Sequence, residues 1–307
     1  MFDIVIVNWN AGAQLRTCID SIAQHGAGLV RKTIVVDNGS VDGSDASVEG
    51  SLNVTLIRAG VNLGFGKACN LGAQQAKSDY LLFLNPDAAM YADTLPNALA
   101  YMQNPAHAEV GICGVQLLDE AGHVSRSCSR FPVVSGFAAH AAGLARFLPR
   151  LGHSMSKWDH AQTSEVDQVI GAFFLVRRVM FESLHGFDER FFVYFEEVDF
   201  SYRARQAGWR SMYLADVQAF HAGGGTSNQV KARRLFYSLR SRLLYAFKHF
   251  SWLGAVVVLL ATLFVEPLSR SALALLRRSW SGLKETWAAY GMLWRWLPQW
   301  VLKEVTR

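Results

Sequence analysis

Four polar clusters lie in the first 90 residues, each directly after an apolar, β-branched run or a short turn away from one. They are Asn8 and Asn10; Asp37-Asn38-Gly39-Ser40; Asn62-Leu63-Gly64-Phe65-Gly66 followed by Lys67; and Asn85-Pro86-Asp87. Asp87 stands behind a proline on a stiff turn. One carboxylate, completed by diphosphate oxygens and water, suits Mg²⁺ or Mn²⁺, although Asn-Pro-Asp is also good turn sequence. Asp37 with the backbone donors beside it matches the edge of uracil or thymine, which shows one N–H between two carbonyls. The same residues also suit a strand-ending turn. Gly64-Phe65-Gly66 lets backbone approach a ligand and opens a helix. It is not a dinucleotide fingerprint, because Cys69 stands where a third glycine is required.

Further along, Glu196, Glu197 and Asp199 place three carboxylates in four residues, behind the aromatic run Phe191, Phe192, Tyr194 and Phe195. On a helix, Glu196 and Asp199 share a face and Glu197 points about 100° away. Aromatic surroundings raise a carboxyl pKa toward that of a general base. The competing reading is an acidic first turn, favoured by the helix dipole and paired with Arg203. His221, before Gly223-Gly224-Gly225, is a candidate metal ligand or phosphate contact, although a lone histidine is more often structural.

These residues need a scaffold, and the apolar pattern supplies one. Strands are predicted at Asp3–Trp9, Lys32–Asp37, Val54–Arg58, Tyr80–Leu84 and Val110–Leu118. Helices are predicted at Gln14–His25, Lys67–Lys77 and Thr94–Gln103. Strand and helix alternating at this pitch predict an α/β fold, doubly wound on a mainly parallel sheet. Ligands of such sheets bind at the carboxyl ends of the strands, where all four clusters fall. Residues 125–165 read as a long irregular loop holding Arg126, Arg130, Arg146 and Arg150. Gln168–Arg177 is apolar, Glu196–Ala207 should be a helix stopped by Gly208, and Trp209–Phe220 a strand that delivers His221.

The composition changes abruptly after residue 230. The 307 residues are 51% hydrophobic, which excludes a disordered chain. Four cysteines without paired spacing argue against a zinc module or disulfide framework and for a reducing compartment. No secretion signal is expected from the Met-Phe-Asp start. The tail from Lys231 onward holds 13 Lys/Arg, three Asp/Glu and six of the nine tryptophans. Within it, Trp252–Val265 is a charge-free run of 14 residues, about 21 Å of helix against a hydrocarbon core of about 30 Å. Glu266-Pro267 interrupts it, and it reads as buried or interfacial rather than re-entrant or spanning. Beyond Pro267, Leu273, Leu276, Trp280, Leu283, Trp287, Tyr290, Trp294, Leu297 and Val301 alternate in steps of three and four, which predicts one face of a long helix. Basic residues, Lys303 among them, lie off that face. The stripe suits an anionic membrane surface or a dimer seam. No nucleic-acid partner is expected.

The segments VIVNWN, VVDNGSVDGS, GVNLGFGKACNLG, LLFLNPDA, GAFFLVRR, GFDERFFVYFEEVDFSYRARQAGW and FHAGGG occur in this order. Together they resemble glycosyltransferase family 2, the inverting GT-A enzymes, and most of all its bacterial rhamnosyltransferase-like branch. The resemblance covers about residues 1–225. It implies a nucleotide-sugar donor, a divalent metal and direct displacement at the anomeric carbon. It places Asp87 at the family's Asp-x-Asp motif, with Asn85 in place of the first Asp, and His221 as the late histidine of the metal and diphosphate shell. Asp37 corresponds to the base-reading aspartate, with Asn8 and Asn62 near the nucleoside and Lys67 a diphosphate contact. Asn10, Asn38, Ser40, Gly64, Phe65 and Gly66 complete the expected donor site. Glu197 falls at the catalytic base, as Glu where Asp is usual, beside Glu196 and Asp199.

The organisation expected is a catalytic domain at 1–229, with a nucleotide half to about 120 and an acceptor half beyond it, then a membrane-associating helical tail at 230–307. The resemblance implies dTDP-rhamnose as donor, or a UDP-linked hexose or galactofuranose, with a polyprenyl-diphosphate-linked saccharide as acceptor. The expected place is peripheral, on the cytoplasmic face of the inner membrane, with a homodimer through the tail as a further option. A nucleotidyltransferase would need a basic, glycine-rich signature after the first strand, where Asn8-Trp9-Asn10 stands. A catalytically dead nucleotide-sugar-binding scaffold is the alternative from another class.

Overall fold

The computed structural model describes residues 1–144, 152, 155, 158–223 and 231–305, with side chains as far as residue 302. Arg146, Arg150, Gly224, Gly225 and the side chain of Lys303 lie outside the described residues. The chain runs β1 (Phe2–Asn8), α1 (Ala13–His25), β2 (Val30–Asp37), β3 (Val54–Arg58), α2 (Phe65–Ala73), β4 (Tyr80–Leu84), β5 (Ala88–Met90), α3 (Thr94–Gln103) and β6 (Val110–Leu118). It continues through β7 (Cys128–Ser129), α4 (Val134–Ala141), β8 (Ser164–Val166), β9 (Gln168–Val169), β10 (Phe173–Arg177), α5 (Arg178–Ser183), α6 (Glu196–Gln206) and β11 (Arg210–His221). The helices α7 (Lys231–His249), α8 (Trp252–Leu260), α9 (Glu266–Leu276) and α10 (Trp280–Val305) follow.

The main sheet has the order β3-β2-β1-β4-β10-β6-β11-β5, with β8 added on β11. β1 lies parallel to β2 and β4, and β11 parallel to β6, while β10 runs against both of its neighbours. The sheet is thus mainly parallel, with β10 reversed in the middle and β5 and β8 reversed against β11. Period-two alternation explains why β1 reads as a continuous apolar run. Phe2, Ile4 and Ile6 enter one core with α1 and α3, while Val5 and Val7 enter the other with α2, α5 and α6. Each large aliphatic side chain buried there contributes about 1.5–3 kcal/mol. α2 approaches closely because of its glycines. A methyl at Gly72 would stand 2.5 Å from Val5 Cγ1.

The chain divides into two compact units. The first holds Met1–Phe131, Met155–Phe192 and Glu196–Thr226. The second holds Pro132–Ser154, Val193–Phe195 and Ser227–Arg307. In the second unit α7 packs against α8 and α10, α10 against α9, and α4 against α8 and α9. Its interior is built from Leu239, Leu243, Tyr245, Val258, Tyr290 and Leu293.

The tail differs from its sequence reading in three ways. The 19-residue helix α7 was not foreseen, because its apolar positions are interleaved with five arginines and lysines before Tyr245. The apolar run does not stop at Glu266-Pro267. Helix continues from Trp252 to Leu276, and a π-helical turn at Ala261–Val265 joins α8 to α9, with Pro267 in the first turn of α9, where its missing N–H costs little. The predicted long stripe is two helices, broken at Arg278 with φ 52°. Tyr290 faces the interior of the unit, while Trp280, Trp287 and Trp294 are exposed, so the stripe is not one surface face. The irregular stretch at 125–165 contains α4 and two short strands. All four cysteines are buried free thiols.

Candidate active site

Register puts the polar clusters together. Asn8 ends β1 level with Asp37 at the end of β2, and Ile6 pairs with Leu84 of β4. Asn8, Asp37 and the Asn85-Pro86-Asp87 turn therefore occupy adjacent strand ends, about 4.8 Å apart in the sheet. Asn8 donates from Nδ2 to Asp37 Oδ1 at 2.9 Å, to Ser44 Oγ at 2.9 Å and to Ser40 Oγ at 3.1 Å. Its buried Oδ1 has no protein partner. Asp37 Oδ2 accepts the Ser40 N–H at 3.1 Å. Asn10, with φ 52°, donates its N–H to Ser40 Oγ and accepts the Val41 N–H on Oδ1. The first two strand-end loops are one hydrogen-bonded body.

Asn38 ties in the third cluster. Its Nδ2 donates to Asn62 Oδ1 at 3.1 Å and to the Gly64 carbonyl at 3.3 Å, and its Oδ1 accepts the Leu63 N–H at 2.7 Å. Asn38 is buried, so it shapes the loop that faces a ligand. Gly64 has φ 85° and opens α2. A Cβ there would lie 2.3 Å from the Phe192 carbonyl oxygen, so only glycine fits. The next residue, Phe65, donates its N–H to that carbonyl at 2.7 Å. Lys67 is half exposed and pairs with Glu189 at 3.6 Å.

Asp87 and His221 meet across 134 residues of sequence. β5 pairs antiparallel with the end of β11, with Ala88 opposite His221, and the Ala222 N–H donates to the Asp87 carbonyl. His221 Nε2 lies 3.3 Å from Asp87 Oδ1 and 3.5 Å from Asn85 Nδ2. Both side chains keep a small solvent-facing edge.

The carboxylates of α6 part company. Asp199 is fully buried and accepts from Arg203 Nε at 2.8 Å, while Arg203 also donates to the Leu184 and Gly186 carbonyls. The pair ties α6 to the loop before the helix. Glu196 is 4% exposed and packs where Gly66 of α2 leaves room; a Cβ on Gly66 would stand 3.4 Å from Glu196 Cβ. Glu197 is half buried. Each has one buried Oε2 without a protein partner. Burial pushes both carboxyls up, and the neighbouring Glu197 charge raises Glu196 further. Backbone N–H groups at the start of α6 pull against that rise at both residues.

The sequence profile of glycosyl transferase family 2 matches residues 3–199, nearly two thirds of the chain. The chain belongs to glycosyl transferase family 2. Among its relatives is the N-acetylglucosaminyl-diphospho-decaprenol L-rhamnosyltransferase of Mycobacterium tuberculosis, 29% identical over 265 residues, which cover 81% of this chain and 85% of that protein. Another is the rhamnosyltransferase WbbL of Escherichia coli K12, 29% identical over 191 residues, 59% of this chain and 69% of that one. The mannosyltransferase of Pyrobaculum calidifontis, solved with GDP-mannose and Mn²⁺, has a TM-score of 0.58 at 17% identity, covering 95% of this chain and 86% of that chain. The fold is GT-A, and this family 2 chain is a glycosyltransferase with rhamnosyltransferases among its relatives.

A divalent ion can be tested against the residues present in this glycosyltransferase. Among the described residues no three His, Cys, Asp or Glu converge. The described residues offer one carboxylate and one imidazole here, Asp87 and His221, already in contact. This fits an ion that takes its remaining ligands from diphosphate oxygens and water, as Mg²⁺ and Mn²⁺ do. Ser44, Asp42 and Asn70 were not foreseen. Ser44 accepts from Asn8 and donates to Asp42, which also accepts the Gly12 N–H. Asn70 brackets Phe187 with one donated and one accepted bond. Asp42 and Ser44 sit in a turn-rich stretch, where no strand end marks them as site residues.

Proposed function

We propose that the protein moves L-rhamnose from dTDP-rhamnose to a hydroxyl of a polyprenyl-diphosphate-linked saccharide, with inversion, in cell-surface polysaccharide synthesis. The observation that carries this reading is the placement of Asn8, Asp37, Asp87 and His221 at adjoining strand ends of one GT-A sheet. Two relatives that are rhamnosyltransferases, one of them acting on N-acetylglucosaminyl-diphospho-decaprenol, support the donor and acceptor classes. Asp37, Asn8, Asn10 and Ser40 receive the nucleoside. The loop Asn62–Gly66, held by Asn38, borders it, and Lys67 is available to the diphosphate. Asp87 and His221, with Asn85 beside them, would hold Mg²⁺ or Mn²⁺, which supplies charge neutralisation on the departing diphosphate when bound. Glu197 accepts the proton of the acceptor hydroxyl as it attacks the anomeric carbon. Glu196 lies deeper, buried against α2.

The test is transfer to a synthetic N-acetylglucosaminyl-diphospho-lipid, with dTDP-rhamnose and UDP-hexoses offered in parallel. We expect a rhamnosylated product of inverted anomeric configuration by NMR. Turnover of UDP-sugars alone would favour the second donor class. No release of nucleoside diphosphate from any donor would favour the binding scaffold.

The membrane reading now rests on a different face from the one the sequence suggested. On α8–α9, Leu253 (71% exposed), Val257, Leu260, Phe264 (64%) and Leu268 (66%) follow one another at helical spacing. Exposed Arg277 and Arg278 follow α9. By length and composition Trp252–Leu276 could also cross a bilayer. Its inner face holds Glu266, which is buried and paired with Arg242 and Arg270. Burial pushes that carboxyl up, but the two guanidiniums outweigh it and hold it down at about 2. A helix anchored by buried charges on one side and apolar on the other suits the plane of an anionic interface. Leu260→Glu with Phe264→Glu removes two exposed side chains, roughly 1.5–3 kcal/mol each if lipid covers them. Flotation with anionic vesicles should fall at least tenfold. Intact protein that never floats would end this reading.

A further inference from the structure

The hydroxyls of Ser40 and Ser44 both lie against the Asn8 amide, yet their protons are placed differently. Ser44 is buried, and its Oγ donates to Asp42 Oδ1 at 2.6 Å, an oxygen that also accepts the Ser44 N–H at 3.0 Å. With its one proton placed there, Ser44 can only accept from Asn8 Nδ2, at 2.9 Å. Ser40 Oγ accepts from Asn8 Nδ2 and from the Asn10 N–H, and no described residue accepts its proton. Asp42 is held independently, because its Oδ2 accepts the Gly12 N–H at 2.9 Å, just before α1. All these residues belong to the first compact unit. The Asn8 side chain itself is fully buried and has two possible amide orientations. As it stands, its N–H edge faces Asp37, Ser40 and Ser44, and its Oδ1 has no protein partner. Turned over, Oδ1 would lie against Asp37 Oδ1, acceptor on acceptor. A Ser44 proton no longer taken by Asp42 would bond that oxygen and stabilise the turned amide.

We infer that Asp42 and Ser44 are positioning residues for base recognition: by taking the Ser44 proton, Asp42 keeps the Asn8 amide donating to Asp37 and so holds the Asp37 carboxylate where the nucleobase meets it. The inference rests on Asp37 reading the base. It gives Asp42, which reaches the base only through Ser44 and Asn8, a share in donor specificity.

The experiment uses the full-length protein and two probes, thymidine diphosphate and 2-deoxyribose 5-diphosphate, in which a hydroxyl replaces the base. Calorimetry with Mg²⁺ present gives a Kd for each, and the ratio of the two reports base recognition alone. The parent should prefer thymidine diphosphate by about 100-fold. Ser44→Ala and Asp42→Ala should each cut that preference about 5- to 10-fold, through weaker binding of thymidine diphosphate and unchanged binding of the probe without a base. In turnover the loss should lie in the donor KM rather than in kcat. Ser44→Thr, which keeps the hydroxyl, should keep the parent's preference. Equal losses for both probes would mark a loop that has merely loosened and would overturn the inference. If the parent binds the two probes equally or not at all, base recognition by Asp37 fails and this inference with it. If the parent discriminates and both Ser44→Ala and Asp42→Ala discriminate as well as it does, the donor-site reading stands and the positioning role alone falls.

Discussion

Glu197→Gln should reduce transfer by about 10²- to 10⁴-fold and leave donor binding intact. The substitution keeps size and hydrogen bonding but removes the proton acceptor, so the loss belongs in kcat rather than in donor affinity. Isothermal titration with the nucleotide sugar, beside a product assay, separates the two. Among the described residues, the titratable groups that interact with Glu197 are Glu196 on its own helix and Cys69 on α2, whose thiol is itself pushed well above its ordinary value by burial and by both carboxylates. The Glu197 pKa is raised by burial, so the acidic limb of the kcat profile should lie above the ordinary carboxylate range, and Gln should abolish that limb. Stability should move the other way. Both carboxyls titrate higher in the folded chain than in the unfolded one. Stability is therefore greatest below the ordinary carboxylate range and declines as pH rises through the raised values. At pH 8 the inactive Gln variant should melt above the parent, and at pH 4 the difference should shrink. A variant that loses donor affinity and activity in parallel would remove Glu197 from the role of base.

The sequence exposes those parts of this arrangement that depend on neighbours in the chain. β1, β2, β3, β4 and β6 lie within a residue or two of their predicted bounds, because a strand buried on both faces is a short apolar run with a polar stop. The doubly wound architecture and the strand-end clusters follow from that. The encounter of His221 with Asp87 depends on the register of β5 against β11, which no local pattern encodes. Asn38 looks like a ligand contact from its position beside Asp37. Only its partners, 24 to 26 residues on, show that it builds the loop. Asp199 shares a helix face with Glu196 as spacing requires, but that face is turned to Arg203 and the protein interior. The tail misleads for a different reason. A three-four apolar repeat shows that a face is buried or covered but not by what, and Tyr290 is covered by its own unit while Trp294 is not.

Asp87→Ala should cost as much as the loss of the base, by another route. On the proposed reading the side chain is one of two groups that would hold the metal at the end of β4, and the other, His221, is an imidazole that carries no charge when neutral. Removing Asp87 would take away the one anionic donor found beside His221 among the described residues, a donor type that Mg²⁺ and Mn²⁺ prefer over nitrogen. Metal affinity supported by one ligand instead of two should fall at least 10- to 100-fold, and the stabilisation of the leaving diphosphate should fall by about 10²- to 10³-fold in kcat. The measurement is donor binding with and without EDTA. The parent should lose affinity when the metal is chelated, and the variant should be weak in both conditions. Asp87→Asn keeps the shape and the contact to His221 but not the charge. If it behaves like Asp87→Ala, charge is what the site requires. The turn itself does not depend on the carboxylate, since the Ala88 N–H is received by the Asn85 carbonyl and the Ala222 N–H by the Asp87 backbone carbonyl. A loss of fold is therefore not expected, and the melting temperature of Asp87→Ala should stay close to that of the parent. Donor affinity in Asp87→Ala that still responds to EDTA as the parent's does would place the metal elsewhere, and the pairing with His221 would then be a structural contact only.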